Sequence, residues 1–331
     1  MVINRTDHVV FFGGGTGLST LAAHAESVWE NLTLVPANSD DGGSTGFFRK
    51  IGEPAYGDMS KVITAVSANG PKRKDRIRRK TRDKRFGDEY PVELRNHTVR
   101  NLMLHLAYLE NGRDLNAAIR QVMRNCGCRP GIKVLPASLE SSNTHARLAD
   151  GTELLGEHVL DIKDSERRIE KFSLRPRVKV NPELEELLPL ANKYVIACGS
   201  WFGSVMSVLR VDGIPDLILK GLGRGAKLFL VVNALNDNQT PNYAAGDFAR
   251  WVYYTLGERK IDYALVHDAP VPEQLLARYS DEDKFLVETD ADFLEKYVNC
   301  IIEGSFLEDC GTLRHSKKVV QVIEKSKREV P

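Results

Sequence analysis

The stretch Val9–Ser19 constrains the fold more than any other part of this 331-residue chain. It begins with the apolar run Val-Val-Phe-Phe, which is followed at once by Gly-Gly-Gly-Thr-Gly-Leu-Ser. An apolar run that ends in a turn signal is typical of a strand buried on both faces of a parallel sheet. The next residues have helical character, with Ser19 as the predicted N-cap. The stretch predicts a strand over 8–12, a glycine loop and a helix over about 18–30.

The glycine loop between this strand and helix is predicted to bind a phosphate. Glycines let the backbone approach a bulky anion, and a helix that begins there directs free N–H groups at the ligand. The alternative is a tight turn that binds nothing. Leu18 stands where a dinucleotide-binding loop would have its third glycine, which argues against NAD. The predicted binding residues of this loop are Gly13, Gly14, Gly15, Thr16, Gly17 and Ser19.

Composition sets wide limits on partners and compartment. The formal net charge is +1, so no overall field attracts the chain to nucleic acid or to a membrane surface. No apolar run is long enough to span a bilayer, and the N-terminus does not read as a signal peptide, so we expect a cytoplasmic protein. The five cysteines form no disulfide framework. Because no Ser–His–Asp or Cys–His arrangement is recognisable, no catalytic residue is predicted.

Apolar runs and helical segments alternate beyond the glycine loop, which is typical of a parallel sheet flanked by helices. A second predicted strand, 32–37, runs into the glycine-rich segment Asp40–Gly46. Ligands of such sheets bind beyond the carboxyl ends of the strands, so both glycine-rich segments are expected at one edge. We predict an α/β fold, a Rossmann-like parallel sheet in a single domain over 1–331.

Residues 132–180 differ in character, because their apolar residues alternate and Asp150-Gly151 is a hairpin signal. We predict a small antiparallel β insertion over this range. The last clear strand is predicted at 261–267. Helical sequence follows it, and a basic, frayed tail is predicted over 317–328.

Polar residues after the predicted strands are candidates for a cation or for the ligand. Paired carboxylates beside a diphosphate suit Mg²⁺, so Asp41 and Asp58 are the predicted metal ligands. The alternatives are a turn at Asp41 and a helix-dipole interaction at Asp58. The other predicted binding residues are Gly42, Gly43, Ser44, Arg49, His97, Asn101, Gly199, Ser200 and Asn233. Their alternatives are a surface cation at Arg49, a helix-start pair at His97 and Asn101, and loop turns elsewhere.

The stretch 71–85 is strongly basic and suggests a surface for nucleic acid or another polyanion. No aromatic residues interleave with the charges for base stacking, and no nucleic-acid motif accompanies them. A solvated helix or an inserted segment is the favoured interpretation.

Several motifs, taken in order along the chain, resemble the CofD/YvcK-like family. The resemblance covers nearly the whole chain, and its order and spacing are closer to the YvcK-type gluconeogenesis-factor proteins than to CofD itself. The motifs are Gly13–Ser19, Asp40–Gly46, Gly57-Asp58, His97–Asn101, Leu135–Glu140, Val195–Ser200 and Asn233. Two departures are Met59-Ser60-Lys61, where the family commonly has Arg-Asn, and Arg100, where it commonly has glycine.

The resemblance implies a Rossmann-like fold that binds a nucleotide-containing ligand. CofD proteins transfer a phospholactyl group from a donor linked to guanosine diphosphate onto a deazaflavin alcohol, with a divalent metal. YvcK-type proteins bind nucleotide sugars such as UDP-N-acetylglucosamine and are tied to carbon metabolism and cell shape.

Three functions are therefore weighed. The first is a cytoplasmic protein that binds a UDP-sugar-like nucleotide and regulates carbon metabolism or cell shape. The second is a CofD-like transferase that uses Mg²⁺ and a GDP-linked or similar donor. The third, which is least favoured, is a nucleic-acid-associated protein that uses 71–85. No membrane partner is expected, and self-association stays open.

Overall fold

The computed structural model describes residues 4–26, 28–67, 84–91, 95–161, 167–308 and 311–326. Seven strands form the main sheet: β1 Asn4–Gly13, β2 Trp29–Pro36, β3 Ile132–Val134, β7 Lys193–Ile196, β8 Lys227–Val231, β9 Ile261–His267 and β10 Val298–Gly304. Their order is β10-β9-β8-β7-β1-β2-β3, and every neighbouring pair is parallel. The predicted α/β class with a parallel sheet is confirmed.

A second, antiparallel sheet has three strands: β4 Asn143–Leu148, β5 Glu153–Leu155 and β6 Ile169–Arg175. Its order is β5-β4-β6, and the predicted turn at Gly151, with φ 87°, joins β4 to β5. The antiparallel sheet occupies less than the predicted range 132–180, because β3 pairs with β2 in the main sheet.

The helices of the described residues cover both faces of the main sheet. In chain order they are α1 Gly15–Ala25, α2 Gly43–Lys50, α3 Gly57–Val66, α4 Val99–Glu110, α5 Leu115–Cys126, α6 Glu157–Asp161, α7 Pro182–Leu187, α8 Ser207–Leu209, α9 Ile214–Leu222, α10 Ala245–Thr255, α11 Glu273–Ser280, α12 Ala291–Leu294 and α13 Lys317–Lys325. A π-helical segment, Trp201–Met206, precedes α8. None of these helices has the length and apolar character that crossing a bilayer requires.

Strand β1 shows why the sheet is buried on both faces. Its side chains alternate between two cores, with Val9 and Phe11 in one and Val10 and Phe12 in the other. All four are fully buried. Burying side chains of this size contributes roughly 1.5–3 kcal/mol each, so the apolar run places β1 at the centre of the sheet.

The predicted start of the first helix is wrong. The helix begins at Gly15, not near residue 18, and Gly14 is its N-cap. Ser19 lies inside it, where the Ser19 hydroxyl donates to the carbonyl of Gly15 at 2.6 Å. The hydroxyl satisfies a carbonyl of the preceding turn and caps no N–H group.

The prediction for the C-terminal part is also wrong in two places. Strand β10 pairs in parallel with β9, so 261–267 is not the last strand. The predicted frayed tail contains α13, whose Val319, Val320 and Ile323 are fully buried. The buried Lys193 ammonium donates to the carbonyl of Ile323 at 2.7 Å, which holds the end of this helix against the sheet.

Candidate functional site

A cavity of about 330 Å³ opens at the carboxyl edge of the main sheet, beyond the ends of β1, β2 and β7. We call it the glycine cavity. Both predicted glycine-rich segments reach it, so the expectation that they share one edge is confirmed. It is lined by Gly15, Thr16, Gly17, Asp40, Gly42, Asp58, Lys61, Glu157, His158, Gly199, Ser200 and Ser204.

Two helix N-termini face this cavity. Gly14 and Gly42 are the N-caps of α1 and α2, and neither helix has a side-chain cap or an acidic residue in its first turn. First-turn N–H groups have no acceptor within their own helix, and the helix dipole is positive at this end. Thr16, Gly17 and Gly42 line the cavity from these two turns. The arrangement therefore favours an anion between the two helices.

Glycine is required in the loop because other groups approach it closely. A Cβ at Gly14 would lie 2.0 Å from Oδ2 of Asp58, and a Cβ at Gly17 would lie 1.8 Å from the carbonyl oxygen of Cys198. The tight-turn alternative therefore explains Gly17, which packs against the end of β7. At Gly14 the missing side chain lets a carboxylate come near the start of α1.

Asp58 is the buried acid of the cavity, with 4% of its surface exposed. It lies in the first turn of α3, where Oδ2 accepts from the Ser204 hydroxyl at 3.1 Å, and the ammonium of Lys61 lies 3.9 Å from Oδ1. Burial raises the pKa of Asp58, and the nearby Asp40 carboxylate raises it further, while Lys61 acts in the opposite direction. The site thus holds a carboxylate that a cation would stabilise in its charged form.

Asp41 and Asp58 as metal ligands stay a prediction, but the residue that lines the cavity beside Asp58 is Asp40 and not Asp41. Oδ1 of Asp41 accepts the backbone N–H of His158 at 2.9 Å, in the first turn of α6. Asp40 accepts from the N–H of Gly42 at 2.9 Å and is close enough to Asp58 to shift its pKa. Adjacent aspartates thus serve two different elements.

Three predicted binding residues, Ser44, His97 and Asn101, are buried together, away from the lining of the cavity. The Ser44 hydroxyl hydrogen-bonds to Nδ1 of His97 at 3.2 Å and accepts from Nδ2 of Asn101 at 3.1 Å. The Ser60 hydroxyl donates to Oδ1 of Asn101 at 2.7 Å. We call these four residues the serine network. The network joins α2, α3 and α4, so it positions the N-terminus of α2.

Arg49 and Asn233 also support the site without lining it. The guanidinium of Arg49 donates to the carbonyls of Ser39 at 2.9 Å and Ser142 at 2.7 Å, which ties the segment after β2 to the antiparallel sheet. The amide of Asn233 donates to the carbonyl of Gly199 at 2.8 Å and accepts its N–H at 3.0 Å. The two hydrogen bonds with Asn233 fix the backbone of Gly199, which lines the cavity.

The remaining predicted residues lie around the cavity. Gly13 ends β1, Gly14 is the N-cap of α1, and Gly43 is the first residue of α2. Ser19 lines a neighbouring groove of about 380 Å³ that meets the glycine cavity at Thr16 and Lys61.

Five lining residues were not among the predicted site residues: Asp40, Lys61, Glu157, His158 and Ser204. Asp40 begins the glycine-rich segment Asp40–Gly46, and Lys61 follows the Gly57-Asp58 motif, so their positions carried a signal. Glu157 and His158 belong to α6, beside the antiparallel sheet, and no local pattern places them here. The predicted basic stretch 71–85 lies outside the described residues except for 84 and 85.

Comparison with known proteins gives concordant matches. A model of the family described as 2-phospho-L-lactate transferase CofD matches residues 9–307. The chain is 31% identical over 327 residues to a gluconeogenesis factor from Halalkalibacterium halodurans, covering 98% of this chain and 97% of that protein. It is 28% identical over 290 residues to the gluconeogenesis factor of Bacillus subtilis, covering 87% of each.

A solved structure agrees with these sequence matches. A UPF0052-family protein from Bacillus halodurans is 29% identical, with a TM-score of 0.87 over 97% of this chain and 100% of that chain. The fold and the cavity define a class of α/β protein. In this class two glycine-rich helix N-termini line a cavity at the carboxyl edge of a parallel sheet. The chain belongs to the CofD family.

Proposed function

We propose that this chain is a cytoplasmic nucleotide-sugar-binding protein of the gluconeogenesis-factor type, which holds the diphosphate of a UDP-sugar-like ligand in the glycine cavity. One observation carries the proposal. Two helices with no acidic residue in their own first turns, α1 and α2, begin at one cavity beside Gly199. Backbone N–H groups and helix dipoles arranged in this way bind phosphate oxygens.

The dimensions of the site suit a ligand larger than a diphosphate. The glycine cavity and the neighbouring groove have volumes of about 330 Å³ and 380 Å³ and share Thr16 and Lys61. A nucleoside or sugar attached to the diphosphate would extend from one into the other. The groove also contains Arg100 and Arg314, which favour a polar, negatively charged ligand.

Mg²⁺ fits the proposed ligand. Three carboxylates, those of Asp40, Asp58 and Glu157, line a cavity that is otherwise suited to an anion, so a cation is needed to offset their repulsion of a diphosphate. Among the described residues no group of three or more His, Cys, Asp or Glu side chains could hold a metal by itself. Mg²⁺ commonly binds one or two carboxylates and completes its shell with phosphate oxygens and water. Bound there, it would neutralise phosphate charge.

Transferase activity is the second candidate, because the matching family is described as a transferase. In such a reaction an acceptor alcohol would attack the phosphorus that bears the lactyl group. The bridging P–O bond would break, a nucleoside monophosphate would leave, and the alcohol proton would pass to solvent or a base. The helix starts and Lys61 would stabilise the charge that develops on the leaving phosphate.

Thermal denaturation with UDP-N-acetylglucosamine, UDP-glucose and GDP, each with and without Mg²⁺, tests the proposal. We expect a UDP-sugar to raise Tm by about 2–4 °C at saturation, and more with Mg²⁺ than without it. Lys61→Met should reduce this shift, whereas Arg120→Gln, an exposed residue outside the cavity, should not. If no nucleotide changes Tm, the proposal is wrong. Release of a nucleoside monophosphate that depends on an alcohol acceptor would favour the transferase.

A further inference from the structure

A second groove, of about 440 Å³, lies at the antiparallel sheet and shares no lining residue with the glycine cavity. Strands β4, β5 and β6 contribute to its wall, and Trp251 of α10 closes one side. We call it the basic groove. Its charged lining residues, apart from His145, are Arg147, Lys171, Arg175, Arg210, Glu153 and Glu170.

Arg210 is the anomalous residue of this groove. It follows α8, and its Nε is buried with no hydrogen-bond acceptor. Burial lowers the pKa of Arg210, and no carboxylate is close enough to counter the shift. A buried guanidinium N–H without an acceptor is costly, so a structure that retains one points to an acceptor from outside.

Two other cations of the groove, Arg147 and Arg175, have only partial partners. Nη2 of Arg147 lies 3.1 Å from a carboxylate oxygen of Glu170, but Nε of Arg147 is buried without an acceptor. Nη1 of Arg175 lies 4.0 Å from Glu153, and both of these side chains are more than half exposed. Such exposed pairs are worth little, so an incoming anion could compete with them.

We propose that the basic groove binds a phosphate group, either free or on a small metabolite, with the Arg210 guanidinium as its main ligand. Four cations face two carboxylates there, which leaves an excess of positive charge that matches a dianion better than a single carboxylate. Guanidinium groups bind phosphate through paired, charge-assisted hydrogen bonds. Ser173 lines the same wall, and its hydroxyl hydrogen-bonds to Nδ1 of His145 at 3.3 Å.

The chain carries its own reporter for this site. It has three tryptophans, of which Trp29 and Trp201 are fully buried, whereas Trp251 lines the basic groove. Binding of phosphate beside Trp251 should change tryptophan fluorescence. Trp251→Phe should abolish that change, so the signal can be assigned to the basic groove and not to the glycine cavity.

The experiment titrates the full-length protein with inorganic phosphate, using sodium chloride at matched ionic strength as the reference. We expect a saturable fluorescence change in the wild type and an affinity about tenfold lower or worse in Arg210→Gln. Arg177→Gln, an exposed arginine outside the groove lining, should keep the wild-type affinity. Lys61→Met should also keep it, so failure of the proposed nucleotide site would not change the result. Tighter binding of glycerol 3-phosphate than of phosphate would identify a metabolite as the source.

Stability provides the second readout. Without phosphate, Arg210→Gln should melt at or above the wild-type temperature, because it removes a partly buried charge whose Nε has no acceptor. A merely structural Arg210 would give a lower Tm with and without phosphate. The proposal is overturned if phosphate gives no saturable signal, or if Arg210→Gln binds phosphate as tightly as the wild type.

Discussion

The glycine cavity and the serine network are made of similar small and polar residues, but they differ in what they face. The cavity is lined by Thr16 and Gly17, which lie in a helix turn whose N–H groups have no acceptor within the helix. The network encloses Ser44 and Asn101, whose side chains are satisfied by one another and by Ser60. A polar residue at a helix start can therefore serve a ligand or the packing of helices, and only the partners of its side chain distinguish the two.

The two regions are nevertheless connected. Ser44 lies in the first turn of α2, whose N-cap, Gly42, lines the cavity. The serine network thus positions the start of α2, which forms one wall of the cavity. If this division is correct, substitutions in the network should change stability with little effect on affinity. Substitutions in the cavity should change affinity, except where a glycine is required for close packing.

The largest effect is expected for Gly17→Ala. The added Cβ would lie 1.8 Å from the carbonyl oxygen of Cys198, and a backbone group at a strand end cannot move away cheaply. We expect a loss of about 3 kcal/mol or more in the free energy of unfolding, measured by urea denaturation. Gly223→Ala is the matched control, since its nearest neighbour is 3.4 Å away and its φ is −62°. Equal stability of both variants would refute the close approach of α1 and β7.

An intermediate effect is expected for Asn101→Ala. The substitution removes the hydrogen bonds to Ser44 and Ser60 inside the protein, which should cost about 1–3 kcal/mol in urea denaturation. The affinity of the folded protein for the proposed nucleotide ligand should change less than about twofold, since Asn101 does not line the cavity. Asn299→Ala, on the exposed side of β10, should be neutral in both measurements. If Asn101→Ala loses affinity while its stability is unchanged, Asn101 binds the ligand and the prediction is wrong.

The part of the site that the sequence predicts is the part formed by local contacts. Strand β1 and its glycine loop are encoded by neighbouring residues, and the carboxyl-edge rule brings Asp40–Gly46 to the same place. The choice between Asp40 and Asp41 depends on α6, whose His158 lies 117 positions further along the chain. Two adjacent aspartates carry no local information about which of them a distant helix will engage.

Strand β10 shows a second limit. Only Val298 of its seven residues is buried, so it lacks the apolar run that marks β1. It exists because β9 offers it an edge to pair with. Edge strands of this kind are specified by their neighbour more than by their own sequence.

The smallest effect on stability, and the most specific one, is expected for Asp58→Asn. Because the folded protein raises the pKa of Asp58, its contribution to stability is full at low pH and is lost as pH rises through the folded value. The asparagine of the variant does not titrate, so the variant does not lose this stability as pH rises. Without ligand its Tm should exceed that of the wild type by about 1–3 °C near pH 8 and by less near pH 5.

With Mg²⁺ and nucleotide, the wild type should have a higher Tm than Asp58→Asn, because a metal ligand must be ionised. The wild type should gain ligand-induced stability as pH rises, and Asp58→Asn should not. Asp41→Asn is the control, because its carboxylate accepts from His158 and does not line the cavity. If Asp41→Asn loses the Mg²⁺-dependent shift and Asp58→Asn keeps it, the proposed metal site at Asp40 and Asp58 is wrong.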